Sequence, residues 1–373
     1  SSNMIHSDQV HDLIGTPEGG VLIATSSGLS RYSEGRWSTR HVTYTNISEG
    51  LMDDYITAIE YDHDHNLWIG YSGGIQIDNG VYYRVLRDTQ LFKDTRIHDL
   101  QRWNNDMWVA TGHSGIHRYR DGTWTWFQPM SKGGPGFYEI TTMALDTASN
   151  SLIIATADNG SWMVSSPDDP VPFTLIAEKG GPYGSLQQVR RDPFGGVYFF
   201  DDNRVMHYTP ETGFVPVLTV PDLTMAEMEI NDLTVSQDGR LFLATDDGIY
   251  IWSNGAVYRH LNRASGIGTT EVIDTIIADP KNRIWFATEG YVGYYTERTG
   301  SDTPLFLDNA TTIPPTPSQP PTPKNTPSPF PQTTAANGDT NTPGGISAIL
   351  DPLLKAISAL LEKFGIGAGG NPA

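Results

Sequence analysis

ITAIEYDHDHNLWIGYSGGIQI, residues 56–77, holds the pattern from which the rest of the chain can be read. A short apolar run is followed by a cluster of Asp, His and Asn. A second apolar run centred on Trp68 comes next, then a third led by glycine. Taken alone, Asp62, Asp64 and Asn66 fill the first three ligand slots of an EF-hand calcium loop. That loop turns on a glycine at its sixth position and closes on a bidentate glutamate at its twelfth. Here those positions are Leu67 and Gly73. The cluster therefore reads as a polar turn between strands, in which Asp and Asn bond their own backbone.

The same spot recurs. Units begin at Val10, Ile56, Ile97, Ile140, Leu186, Ile230 and Ile273, separated by 41 to 46 residues, and fill roughly residues 5–308. The equivalents of the DHDHN turn are TPEGG, NND, TASN, DPFGG, SQDGR and DPKNR. The strand behind it centres on Leu22, Trp68, Trp108, Ile153, Tyr198, Phe242 and Trp285, and in five units it ends Ala-Thr. A Gly-led strand follows, and usually a fourth, aromatic-rich one such as TWTWF at 123–127. Four short antiparallel strands per unit of about 40–50 residues make a β-propeller blade. The fold expected is all-β, a seven-bladed propeller over residues 1–308. A helical solenoid would need apolar spacings of three and four, which are missing. A WD-repeat propeller would show recurring Gly-His and Trp-Asp pairs, which are missing too.

The motif D-x-x-(G/N)-x-(L/I)-W-I-(G/A)-T-x-x-G-(L/I) resembles the two-component-regulator propeller repeat, best over Asp62–Ile75 and Asp279–Gly290. The resemblance covers all seven units, the fourth and fifth in degenerate form. It implies an extracytoplasmic sensor part of the kind that precedes a small β-sandwich, a membrane helix and a histidine kinase. Residues 309–373 carry none of these.

Composition narrows the partners. The net charge is -19, and from Asn309 onward three lysines balance three acids, so the excess belongs to residues 1–308. Such a body repels nucleic acid and anionic lipid, and suits cations, neutral sugars or basic proteins. Cysteine is absent, which removes disulfides and thiolate metal sites. The chain starts SSNMIHS, without an initiator Met, which suggests a mature secreted form; the location expected is extracellular, at the cell surface. No run of 18 apolar residues exists, so no membrane span is expected.

Residues 309–345 are rich in Pro and Thr and read as an extended spacer. Residues 346–373 begin with an amphipathic helix and end in glycines. Its apolar face is Ile346, Ile349, Leu350, Leu353, Leu354, Ile357, Leu360, Leu361 and Phe364. It starts either at Asp351-Pro352, as N-cap and first-turn proline, or near Ser347 with a bend at Pro352. Leaving this face exposed would forgo about 1.5–3 kcal/mol per large side chain. Self-assembly into a homo-oligomer or filament is the first expectation. Docking on another surface protein, on a membrane interface or back on the propeller are the alternatives.

Candidate site residues come from two places. Each first strand opens with two polar residues in most units, and first strands line a propeller's channel. His11, Asp12, His98, Asp99, Asp232 and Asp274 should therefore ring one mouth as an acidic lining for a cation or sugar, or be polar simply because the channel holds water. The loops at 42–55, 131–139 and 177–185 are longer than tight turns, and would offer Tyr55, Phe137, Tyr138 and Tyr183 as aromatic platforms for a glycan or protein. No cofactor is expected, with a bound Ca2+ or other cation as the alternative. No nucleophile elbow, zinc-protease motif or phosphate loop is present. The chain thus reads as a non-enzymatic display or adhesion protein of a surface filament. The first alternative is a glycan- or cation-binding sensor propeller. The second is a polysaccharide lyase using His98 or His11.

Overall fold

A computed structural model describes residues 9–41, 50–80, 83–86, 92, 95–267, 272–288, 291–296 and 305–306. The spacer and helix expected at 309–364 lie outside them. The described strands form seven four-stranded antiparallel sheets, each ordered as its strands occur in sequence. Sequence neighbours therefore pair, as a meandering propeller blade requires. The first strands are Val10–Gly15, Ala58–Tyr61, Ile97–Trp103, Ile140–Asp146, Gln188–Arg191, Ile230–Val235 and Thr275–Ala278.

Apolar residues on both faces of the second strand dictate the assembly. In blade 2 this strand is Leu67–Tyr71, and all five residues are buried. Leu67, Ile69 and Tyr71 enter a cluster with Leu22 and Ala24 of blade 1, while Trp68 packs with Ile97 and Val109 of blade 3. Every other junction has its own cluster: Trp108 with Ile140, Ile153 with Val189, Phe200 with Leu233, Phe242 with Ile276, and Trp285 with Leu13. The core is therefore a ring of slabs, and each of the seven predicted central residues lies at the junction with the following blade.

Among the described residues each blade comes from one continuous stretch, and blade 7 takes Leu305–Phe306 as its outer strand. Side chains across the seam hold blade 7 to blade 1. The Tyr32 ring lies 5.3 Å from Trp285, and the Arg283 guanidinium donates to the Gly19 carbonyl.

Two recurrent sequence features acquire physical causes. Asp62 accepts from the Asp64 and Asn66 N–H groups at 2.9 and 2.8 Å, from Asn66 Nδ2 at 2.8 Å and from the Trp68 indole at 2.9 Å. Asp279 likewise accepts from the Lys281 and Arg283 N–H groups, the Arg283 side chain and the Trp285 indole. The aspartate thus folds the turn and satisfies the buried indole six residues on. The Ala-Thr ending works one turn later: Thr25, Thr111, Thr156 and Thr245 donate to the carbonyl of the glycine that opens or precedes the third strand. That glycine is obligatory in blade 6, where Gly248 has φ +89 and a Cβ would stand 2.2 Å from the Leu261 carbonyl oxygen.

Replacing Asp62 by Ala strands the Trp68 indole and undoes the turn, so it should destabilise the propeller by about 2–4 kcal/mol. Asp64, which is exposed and lends the turn only its N–H, should tolerate Ala within about 0.5 kcal/mol. Thermal melts of the two variants beside the parent check both values.

Candidate functional site

The polar pairs that open the first strands straddle a bulge in four blades. Register slips by one residue between Val10 and Asp12, between Ile97 and Asp99, between Ile140 and Thr142, and between Ile230 and Asp232. A bulge places two successive side chains on one side of the strand, and here both reach the following blade. His11 Nδ1 donates to the Ile56 carbonyl, and Asp12 accepts the Ile59 N–H at 2.8 Å. His98 Nδ1 donates to the Ile140 carbonyl at 2.7 Å, and Asp99 accepts the Met143 N–H at 2.6 Å. Thr141 and Thr142 repeat this against Gln187 and Val189, and Asn231 and Asp232 against Ile273 and Ile276. Blade 2 offers Thr57 and Ala58 instead; the Thr57 hydroxyl is buried and has no hydrogen-bond partner among the described residues. These side chains do more than border water: they are clasps that pair main-chain groups of the next blade.

Two residues outside the predicted set complete the channel. Glu60 and Arg190 stand two places beyond the Asp12-type position, on the same strand face, where the polar-pair pattern did not look. Arg190 Nε donates to Asp232 at 2.8 Å. Asp12 and Asp99 keep some access to solvent yet are packed round by protein. Burial first, then neighbouring carboxylates, push Asp12 up to about 6, Asp99 to about 7 and Glu60 to about 8. Backbone N–H groups oppose all three shifts, as does Arg190 for the aspartates and Arg102 for Glu60. Burial also works against the Arg190 charge, but Asp232, Asp99 and Asp12 outweigh it and raise its pKa.

A raised carboxyl pKa means that the folded protein holds a proton the unfolded chain has released, so stability falls as pH rises through the folded pKa. Between about pH 7 and 9 Glu60 should lead this loss, and Glu60→Gln, which cannot ionise, should flatten the decline in melting temperature. A variant whose decline matches the parent's would show that Glu60 ionises freely.

One quadrant of the mouth gathers side chains of blades 1 to 3. The His11 ring lies 4.6 Å from that of Tyr55, and the Arg96 guanidinium carbon sits 5.3 Å from the Tyr55 ring centre. Arg96 accepts the Gly112 N–H at its carbonyl, and a Cβ on Gly112 would approach His98 Nε2 to 3.0 Å. The neighbouring His113 N–H reaches Thr95 Oγ1 at 3.2 Å. Burial first, and Arg96 beside them, lower the pKa of His11 and His98, while their bonds to main-chain carbonyls work the other way. Each ring gives its Nδ1–H to a carbonyl, so in the neutral state Nε2 is an acceptor. Arg96 precedes the strand that starts at Ile97, outside the repeat unit, which hid it from the sequence alignment.

The expected aromatic platforms separate. Tyr55 belongs to the quadrant just described, and Tyr138 is 49% exposed. Phe137 is a correction: it is fully buried, because its loop folds the ring between blades 3 and 4, 5.5 Å from Trp162 and 6.0 Å from Phe173. Tyr183 is half-buried and stacks on Phe214 at 4.6 Å, so it too packs its own blade junction. Asp274 is exposed on blade 7 and gives its N–H to the Ala287 carbonyl. Among the described residues no group of three or more His, Asp or Glu side chains is placed to hold a metal ion, and no helix is long and apolar enough to cross a membrane.

Residues 50–73, which include the DHDHN turn and the Trp68 strand, match the Two component regulator propeller family. No curated protein sequence matches the chain. Among solved structures it is similar to the extracellular domain of a protein assigned as a hybrid two component system of B. thetaiotaomicron. That match has TM-score 0.63 and 19% identity, and covers 79% of this chain but 39% of the other, so this chain spans well under half of that domain. It is also similar to virginiamycin B lyase from Staphylococcus aureus, with TM-score 0.61, 12% identity, and coverage of 79% and 97%. A third similarity is to PorZ, a surface component of the type-IX secretion system of Porphyromonas gingivalis, with TM-score 0.59, 12% identity, and coverage of 76% and 46%. Identities this low establish the propeller fold alone.

Proposed function

We propose that this propeller is an extracellular ligand-binding domain of the sensor type, which captures a saccharide at the channel mouth over blades 1 to 3. The observation that carries this reading is the His11–Tyr55–Arg96–His98 quadrant. It joins an aromatic ring, an exposed guanidinium and two imidazoles; His11 and His98 sit on first strands, Tyr55 in the loop before the blade-2 strand and Arg96 just ahead of the blade-3 strand. Sugar recognition needs an apolar face beside a few fixed polar groups, and this quadrant supplies both. The family match at residues 50–73 and the fold shared with an extracellular sensor-system domain support the class and the location.

A lyase reading has one observation in its favour. His98 is biased towards the neutral form, and among the described residues its Nε2 has no hydrogen-bond partner, as a general base requires. A glycan array followed by calorimetry separates the two. For a binding domain, Tyr55→Ala should weaken the best ligand by about tenfold or more, and the ligand should be recovered uncut. Ligand converted to unsaturated products, with turnover lost in His98→Gln, would transfer the assignment to the lyase.

The assembly role of the apolar face Ile346–Phe364 rests on its spacing in the sequence. Anchoring or multimerising a binding domain through such a helix fits the sensor reading, and a filament fits the display reading. Removing residues 346–364 should leave a monomeric propeller with an unchanged melting temperature, by light scattering and calorimetry. A truncated chain that still assembles would remove the helix from either scheme.

A further inference from the structure

Resting on the proposed saccharide site, we infer that the mouth over blades 1 to 3 selects a saccharide bearing a carboxylate, held by Arg96 with His11 and His98 beside it. The first observation is an imbalance of pairing. In a chain with 43 acidic and 24 basic residues, guanidinium groups find aspartates readily. Arg40, Arg118, Arg120, Arg204 and Arg283 each lie on one, at 2.5 to 3.0 Å. Arg96 is exposed, and among the described residues it makes no ion pair; Arg36, Arg102, Arg191 and Arg263 make none either, and what distinguishes Arg96 is its place beside Tyr55, His11 and His98. Its guanidinium carbon stands 5.3 Å from the Tyr55 ring centre, a cation–π contact that does not use its N–H donors.

The second observation concerns the charges around it. The nearby carboxylates have other work: Asp53 accepts the Tyr55 N–H at 3.0 Å, and Asp54 lies 3.6 Å from His41. Glu139 acts on His98, where its charge favours the protonated ring; His113 and Arg96 oppose that. His11 feels Arg96 and the Ile56 carbonyl. An anion entering between these groups meets one permanent positive charge and two rings able to take up protons. A planar carboxylate matches the guanidinium fork with two parallel hydrogen bonds, which a neutral hydroxyl cannot supply. Binding should also protonate the histidines, whose charged forms are held down by burial and by Arg96. Affinity should therefore rise on acidification for as long as the ligand's own carboxylate stays ionised.

The test uses the full chain and a panel of uronic-acid and sialic-acid oligosaccharides, each beside its neutral methyl ester, with inorganic sulfate as a free-anion arm. The expected result is binding of acidic members about tenfold or more tighter than their esters. Arg96→Ala should abolish that preference, and Arg96→Lys should restore part of it because the charge returns without the fork. Affinity for the acidic member should rise by about tenfold from pH 7.5 to 5.5. His98→Gln keeps an N–H donor for the Ile140 carbonyl and should reduce that rise. Esters bound as tightly as acids, with no response to Arg96→Ala, would overturn the inference and leave the saccharide site standing. Sulfate binding as tightly as the acidic sugars would replace the saccharide by a free anion. No binding to any member, or binding indifferent to both Tyr55→Ala and Arg96→Ala, would overturn the inference and the site together. Arg96 is exposed, so Arg96→Ala should melt with the parent, which separates lost binding from lost fold.

Discussion

A blade whose second strand is apolar on both faces cannot be stable alone, and the rest of this molecule follows from that. Leu67 and Ile69 need blade 1, and Trp68 needs blade 3, so the sheets stack only if each has a neighbour on either side. A row of such sheets ends in two exposed slabs unless it closes. Closure here falls to Trp285, Tyr32, Leu13 and the Arg283–Gly19 bond, because among the described residues no strand is shared between the first and last blades. Among the described residues the seam is held by side-chain packing and the Arg283–Gly19 bond.

Closing the ring crowds seven first strands around one axis, and the clasps are the answer to that crowding. Each bulge offers the next blade a donor and an acceptor, so the inner edges are tied even though their strands belong to separate sheets. The consequence is electrostatic. Asp12, Asp99 and Asp232 are drawn into a narrow space, Glu60 joins them, and Arg190 supplies the opposing charge. At the mouth the same clasps hold the imidazoles of His11 and His98 by Nδ1, and among the described residues Nε2 has no hydrogen-bond partner. On the proposed reading, structural and recognition roles share residues, divided between the two nitrogens of one ring.

Seven blades were legible in the sequence because the pattern repeats. An aspartate six residues before a large second-strand residue recurs for a physical reason, seen in the Asp62–Trp68 and Asp279–Trp285 bonds, so it survives as a countable phrase. The first-strand polar pairs are legible as channel lining, but not what they bond. Their partners are backbone groups of the next blade, and no side-chain pattern reports a backbone group. Phe137 illustrates a different limit: composition marks a loop as long and aromatic, but not which ring turns inward and which, like Tyr138, stays out. Arg96 was missed because it lies one residue ahead of the repeat, where alignment of the units carries no information.

The central claim is that the mouth over blades 1 to 3 is where this propeller meets its ligand. A crystal structure of the chain with the tightest-binding saccharide of a glycan array tests it most directly. The account expects the sugar within hydrogen-bond distance of Arg96 and against the Tyr55–His11 pair. Sugar seated instead in the cleft of about 430 Å³ beside Asp62, Asn79 and Asp121, on the turn side of blades 2 and 3, would contradict it.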